Sequence, residues 1–313
     1  MLTISDVLRA AGRIAPYVRR TPLVPARNLK DDPFPGIELL LKLECLQVTG
    51  SFKPRGAVSK LLSLDESEVR RGIITASGGN HGLAVAYAGW LTRTRTIVYV
   101  PENISPDKKK KLALWGADVE VYGRHWHEAN LQALARAESE GFTYFHPFAD
   151  PMVIAGQGTV ALEVLEDAPE VGILLVAIGG GGLISGVALA AKALRPSIRV
   201  IGIEPTGAPT LYESLRAGFV VELAGITTRV PTLAALRTEQ INLEIARQYV
   251  DEVVLIEDDD MRDAARWLWF EMGLAVDMSG AASIAALRSG RVCPRKGEQV
   301  CALVCGAGPD GLM

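Results

Sequence analysis

Lys53 lies in Thr49-Gly50-Ser51-Phe52-Lys53-Pro54-Arg55-Gly56-Ala57, between a small-residue turn and a segment whose apolar residues, Ala57, Val58, Leu61 and Leu62, recur at helical spacing. Pro54 has no backbone N–H and fits the first helical position, where that donor would be unpaired anyway. Its ring disfavours the α region for the residue before it, so Lys53 is expected on an extended lead-in. Beside Arg55 and near the positive end of a helix dipole, the ammonium form is disfavoured. The lysine pKa is therefore expected below its ordinary value of roughly 10.4. A lysine that sheds its proton can form a Schiff base with a carbonyl compound. Alone, the segment equally describes an ordinary lysine at the start of a helix.

Two further stretches are built for anions. Gly179, Gly180, Gly181 and Gly182 separate an apolar strand pattern from a helix pattern. Without Cβ atoms, their N–H groups can turn inward on a phosphate at a helix start; a flexible turn is the alternative. The run is not a dinucleotide fingerprint, because G-x-G-x-x-G with a following acidic residue is missing. Ser77-Gly78-Gly79-Asn80-His81-Gly82 also follows a short apolar run. Its N–H groups and the Ser77 hydroxyl could hold a carboxylate, with Asn80 as an orienting donor. The alternative is a helix N-cap by Ser77 or Asn80, and a lone His81 is more often structural than catalytic.

The elements that must position these residues alternate between strand and helix. Strand patterns cover 37–44, 73–76, 96–100, 118–122, 172–178, 200–204 and 300–305. Helix patterns start near Thr3 or Ser5 and cover 83–91, 128–140, 157–165, 183–194, 210–217, 259–273 and 280–289, with another opened by Ser105-Pro106-Asp107. Residues 20–25 read as an extended connector. This alternation implies mainly parallel sheets with helices on both faces, in two α/β domains with a cleft between them. The 313 residues are 49% hydrophobic and 22% charged with net charge −3, which suits a soluble globular protein and favours neither nucleic acid nor membrane as partner. Residues 171–191 are uncharged, but the glycine run cuts them into strand and helix pieces, so no membrane span is expected. The N-terminus carries no secretory pattern. Cys45, Cys293, Cys301 and Cys305 include no C-x-x-C pair and read as reduced thiols of a cytoplasmic protein.

A phosphate cradle, a carboxylate cradle and a reactive lysine together fit pyridoxal phosphate with an amino-acid substrate. The chain resembles the fold-type-II pyridoxal-phosphate enzymes of the threonine/serine dehydratase and serine racemase family. The resemblance rests on Ser51-Phe52-Lys53-Pro54-Arg55-Gly56-Ala57, Ser77-Gly78-Gly79-Asn80-His81-Gly82, His146-Pro147 with Ile154-Ala155-Gly156-Gln157-Gly158-Thr159, the four glycines, and Glu204-Pro205. These pieces occur in family order over nearly the whole chain. The resemblance implies two open, mainly parallel sheets flanked by helices, as in the tryptophan synthase beta subunit, with the cofactor in the interdomain cleft. Residues 1–62 and 151–313 would form the large cofactor-binding domain, and 63–150 a small domain carrying the carboxylate loop. It further implies that Lys53 holds the cofactor and then removes the α-proton. Gly179, Gly180, Gly181 and Gly182 hold the phosphate, Asn80 bonds the ring hydroxyl, and Phe52 packs beside the ring. Ser77, Gly78, Asn80 and His81 form the substrate loop. Cys305 falls where the family has a serine facing the pyridine nitrogen. Such a neutral partner suits β-elimination better than transamination.

Departures from the pattern sharpen the expected reaction. The racemase carries a second serine, the opposite-face acid/base, where this chain has Gly78, and a polar residue where it has Phe148. Both differences favour a dehydratase of L-threonine or L-serine, which would release a 2-oxo acid and ammonia. Serine racemase, 3-hydroxyaspartate dehydratase, a β-replacement enzyme and a non-catalytic cofactor-holding homologue are the alternatives. The family's cation site would use Glu204 and the Ala208 carbonyl, but its further carboxylate position holds Thr210. Asp277-Met278-Ser279-Gly280-Ala281 replaces a Glu-Pro segment, and Thr228-Arg229-Val230-Pro231-Thr232 lacks the family's Ala-Asp-Gly. Lys108, Lys109, Lys110 and Lys111 read as a solvated helix face, His125-Trp126-His127 as a surface loop, and residues 257–260 as an acidic helix cap. The partners expected are a small hydroxy amino acid and further copies of this chain, as a homodimer or larger. No regulatory domain is expected after Cys305.

Overall fold

Short apolar runs bounded by glycines and polar turns form strands that are buried along their whole length: β3, β4 and β7 below have no exposed position. The computed structural model describes residues 2–309 and Gly311; residues 1, 310, 312 and 313 lie outside the described residues. The strands are β1 (Leu23–Pro25), β2 (Glu38–Lys42), β3 (Ile73–Ala76), β4 (Thr96–Val100), β5 (Asp118–Val121), β6 (Thr143–Tyr144), β7 (Ile173–Ala177), β8 (Arg199–Pro205), β9 (Glu252–Ile256) and β10 (Gln299–Leu303). They build a six-stranded sheet in the order β1-β2-β10-β7-β8-β9 and a four-stranded sheet in the order β5-β4-β3-β6. Only the β1–β2 pairing is antiparallel among these ladders. The two open α/β layers are the expected fold.

The helices are α1 (Ile4–Ile14), α2 (Lys53–Leu61), α3 (Glu66–Arg71), α4 (Asn80–Thr92), α5 (Pro106–Leu114), α6 (Trp126–Glu140), α7 (Pro151–Asp167), α8 (Gly182–Leu194), α9 (Thr210–Ala217), α10 (Gln240–Tyr249), α11 (Asp258–Met272) and α12 (Met278–Arg288). The sequence reading omitted α3, β6, α10 and β9. It also started α7 too late, at residue 157. Asp150 caps α7 by accepting from Met152 N (2.7 Å) and Val153 N (3.2 Å), with Pro151 at the first position. No helix among the described residues is long and apolar enough to cross a membrane.

Helix α2 packs against both α4 and α7, and a buried ion network fixes it there. Arg55 is 1% exposed. Its Nε and Nη2 donate to Glu44 (2.8 and 2.7 Å), and its Nη1 and Nη2 donate to Glu163 on α7 (2.6 and 2.9 Å). Lys42, at the end of β2, donates to Glu163 (2.6 Å) and to the Thr21 carbonyl (2.8 Å). Burial raises the Glu163 pKa, but hydrogen bonds and charge from Arg55 and Lys42 outweigh it and hold the carboxyl below its usual range. Gly56 and Gly156 let α2 and α7 cross closely. A Cβ on Gly156 would lie 2.3 Å from the Arg55 carbonyl oxygen. Removing one partner from a buried ion pair strands the other charge. Arg55→Met is therefore expected to cost about 3–5 kcal/mol of unfolding free energy, read as a lower urea midpoint; a wild-type midpoint would contradict this role.

Candidate active site

The approach to Lys53 is set by backbone pairing. Thr49 and Gly50 take positive φ (65° and 88°), Ser51 bridges Gly306, and Phe52 N donates to the Cys305 carbonyl (3.2 Å). Phe52 is already helical (φ −59°, ψ −18°), and α2 begins at Lys53 with Pro54 second. This corrects the expected extended lead-in. Any position in the first turn leaves proline's missing donor without consequence, so the helix can start one residue earlier. Lys53 is half-buried; its Nζ donates to the Pro147 carbonyl (2.8 Å) and lies 5.1 Å from the Phe52 ring centroid. Burial lowers its pKa from 10.5 to about 8. The direction is as expected, but the cause differs: Arg55 is neutralised by Glu44 and Glu163.

The segment 145–149 ties this lysine to both sheets. The Phe145 carbonyl accepts from Thr75 Oγ1 (2.9 Å) and from His81 Nε2 (3.0 Å). The His81 ring is thus used to hold β3 to the exit of β6, while its backbone N–H remains in the uncapped first turn of α4. His146 Nδ1 accepts from Phe148 N (3.3 Å) and Ala149 N (2.9 Å), so the ring proton of the neutral form is on Nε2. Burial, then the Lys53 charge, lowers His81 to about 3 and His146 to about 4; the Phe145 carbonyl and Asp150 respectively work against this. Both rings are neutral near pH 7. The His146-Pro147 motif carries no local sign of a role for the ring, which tertiary packing alone brings beside Lys53.

Two helices open at the carboxyl ends of parallel strands without a side-chain cap. Helix α8 follows β7 through the four glycines, with Gly181 as N-cap at φ 98°. A Cβ on Gly180 would lie 2.2 Å from the Phe148 ring, and one on Gly182 2.6 Å from the Phe148 carbonyl oxygen. Helix α4 follows β3 with Gly79 as N-cap, while Ser77 Oγ accepts from Gly79 N (3.3 Å). Neither expected alternative cap, Ser77 or Asn80, holds the first turn of α4, which leaves its amides for a carboxylate. Asn80 is the first residue of α4 and half-buried; a Cβ on Gly78 would lie 3.1 Å from Ile104 Cδ1. Trp126 Nε1 donates to the Ala76 carbonyl (2.8 Å) behind this loop, so the 125–127 segment is more than a surface loop.

Cys305 lies two residues beyond β10. Its Sγ donates to the Ser279 carbonyl (3.3 Å), and Ser279 Oγ donates to Asp277 (2.7 Å), which also accepts from Gly280 N (2.6 Å) as the cap of α12. The divergent 277–281 segment is therefore a well-capped helix start. Burial, then Asp277, pushes the Cys305 thiol up, so it stays protonated and neutral. The divergent 228–232 loop is held by Asp258, which accepts from Thr228 Oγ1 (2.6 Å) and Arg229 N (2.6 Å). It lies against Gly179.

The expected cation ligands do not fit a hard cation. The two Glu204 oxygens accept from Leu211 N and Tyr212 N (both 2.8 Å), so the carboxyl group caps α9. Thr210 Oγ1, where a further carboxylate was needed, donates to the Ala208 carbonyl (3.3 Å) and the Ala235 carbonyl (2.7 Å). Burial raises Glu204 to about 8, although the amides of Leu211, Tyr212 and Thr210 oppose this. Glu204 and Ala208 thus serve the backbone of α9. Among the described residues, no group of three or more His, Cys, Asp and Glu side chains gathers around a metal position.

A desolvated lysine between two uncapped helix starts, on this two-sheet fold, defines a class of enzyme that works through a phosphorylated carbonyl cofactor. A family model described as Pyridoxal-phosphate dependent enzyme matches residues 14–306, and the chain belongs to that family. The cofactor of the family is pyridoxal 5'-phosphate. The L-threonine ammonia-lyase of Geobacter sulfurreducens is 38% identical over 303 residues, covering 97% of this chain and 75% of that protein. The phenylserine dehydratase of Ralstonia pickettii is 36% identical over 312 residues, covering 98% and 94%. The structure of maize serine racemase superposes with a TM-score of 0.92 at 34% identity, covering 98% of this chain and 93% of that one. The residues present fit the cofactor: side chains at positions 180 and 182 would run into Phe148, so only glycines leave room there for a phosphate, and Lys53 would offer the amine.

The Lys53 shift makes a pH prediction. With a lowered pKa, the reactive free amine dominates above about 8 and the ammonium below it. Capture of pyridoxal phosphate by the apoprotein should accelerate through pH 8 and then level off. A rise still continuing toward 10.5, the ordinary lysine value, would contradict the desolvated environment.

Proposed function

We propose that this chain is a dehydratase (ammonia-lyase) that converts L-threonine, L-serine or both to a 2-oxo acid and ammonia by α,β-elimination. The bound cofactor supplies an electron sink that makes the substrate's α-hydrogen acidic. Lys53 Nζ, as the free amine, takes that proton. The amides at the start of α4 and the Ser77 loop hold the substrate carboxylate, and those at the start of α8 hold the phosphate. The β-hydroxyl leaves as water as the C–O bond breaks, taking up a proton that balances the one held on Lys53 Nζ, and the released enamine takes up water to give the 2-oxo acid and ammonia. Phe52 beside Lys53, Asn80 at the start of α4 and the neutral Cys305 complete the proposed cofactor site.

The observation that carries elimination over racemisation is Gly78. Racemisation requires a second acid/base opposite Lys53, whereas position 78 has no side chain and the space beside it is occupied by Ile104. Phe148, seated against Gly180, adds no proton donor. The two sheets support residues 1–62 with 151–313 as the cofactor-binding domain and 63–150 as the small domain. Cytoplasmic residence and a homodimer or larger assembly belong to the same proposal. The cysteines are unpaired, and Trp269 and Phe270 on α11 are exposed apolar surface for a second copy.

A panel of L-threonine, L-serine and 3-hydroxyaspartate, followed by 2-oxo acid release and chiral chromatography, tests this reading. The expected result is 2-oxo acid from threonine or serine without D-serine, falling by at least ~10²–10⁴-fold in Lys53→Ala. D-serine as the main product, turnover of 3-hydroxyaspartate alone, or retained cofactor without any 2-oxo acid would each sink it.

A further inference from the structure

The start of α10 and the residues just before it stand behind the glycine cradle, with no role in the chemistry above. Thr238 and Asn242 are both fully buried there. Thr238 Oγ1 donates to the Gly180 carbonyl (3.0 Å). In a trans peptide the carbonyl and the following N–H point in opposite directions. Holding the Gly180 carbonyl against Thr238 therefore turns the Gly181 N–H away from α10.

Asn242 secures the same turn from a second side. Its Nδ2 donates to the Phe148 carbonyl (3.1 Å) and to Ser185 Oγ in the first turns of α8 (3.1 Å). The amide cannot be reversed, because its oxygen would then face the Phe148 carbonyl, acceptor against acceptor. That orientation leaves Asn242 Oδ1 buried with no hydrogen-bond partner among the described residues. A buried acceptor without a donor is unfavourable, so the arrangement persists because the other end of the amide is held. Gly181 fits tightly against this pair: a Cβ there would lie 3.3 Å from both Thr238 Oγ1 and Asn242 Cβ.

We propose that Thr238 and Asn242 are positioning residues for the cofactor phosphate. Thr238 aims the Gly180–Gly181 peptide, and Asn242 locks the start of α8 to the segment whose Pro147 carbonyl holds Lys53. The proposal rests on the reading of the four glycines as the phosphate cradle. It assigns to α10, which makes no direct contact in that reading, a share in cofactor affinity.

The test titrates apoprotein with pyridoxal phosphate and, separately, with pyridoxal, which lacks the phosphate. The visible absorbance of lysine-bound cofactor is followed in wild type, Thr238→Val, Thr238→Ser and Asn242→Ala. Thr238→Val and Asn242→Ala are expected to weaken pyridoxal phosphate by about tenfold and leave pyridoxal unchanged, with Thr238→Ser near wild type. Equal weakening of both ligands, or unchanged pyridoxal phosphate affinity, would overturn the proposal. Thr238→Val is nearly isosteric, so it and Thr238→Ser decide the matter even where Asn242→Ala fails to fold. A wild type with no preference for pyridoxal phosphate over pyridoxal would instead remove the phosphate-cradle reading, and this proposal with it.

Discussion

The guanidinium of Arg55 is shared between two carboxylates, Glu44 and Glu163, and Glu163 is shared in turn with Lys42. Transferring four charges from water to this interior costs several kcal/mol per ion, so the network is a poor source of net stability. What it does supply is direction. Each bond joins a different element: the exit of β2, the first turn of α2, and the middle of α7. With these satisfied at 2.6–2.9 Å, the first turn of α2 has one orientation, and Lys53, two residues before Arg55, faces the opposite side of the helix, toward the Pro147 carbonyl. The remaining geometry of the site is laid out from that lysine.

The chemistry around Lys53 follows from keeping its neighbours neutral. His81 and His146 are buried and unprotonated near pH 7, and the Cys305 thiol is held protonated. Among the described residues, no carboxylate pairs with the lysine to hold it as ammonium, and burial brings its pKa to about 8. The uncapped starts of α8 and α4 offer positive potential that would suit the proposed phosphate and carboxylate. Those dipoles need no titratable group and keep their sign across the working pH range. Elsewhere α5 and α7 carry ordinary side-chain caps from Ser105 and Asp150, while α6 and α10 also start without one.

Much of this was legible in the sequence because glycine and proline act locally. The four glycines, the Ser77-Gly78-Gly79 loop and the Lys53-Pro54 helix start each announce a backbone requirement within a few residues. The alternating apolar runs likewise announced the two parallel sheets. What escaped was tertiary. Arg55 read as a neighbour acting on Lys53, because nothing local shows that its partner Glu163 arrives from 108 positions away. His81 sits in the right loop, yet the first turn of α4 points its ring back to Phe145. The segment before α10 has no glycine or capping box, so Thr238 gave no sign of reaching Gly180, 58 positions earlier. Thr210 did reveal the misfit of the cation ligands, since a hydroxyl stood where a carboxylate was required.

The central claim is that Lys53 is the lysine that holds the cofactor. Borohydride reduction of the holoprotein fixes pyridoxal phosphate on whichever amine carries it, and peptide mass spectrometry then locates the label. The account predicts the label on the peptide containing Lys53. A label on another lysine, such as Lys42 or Lys60, or folded holoprotein with no label, would contradict it.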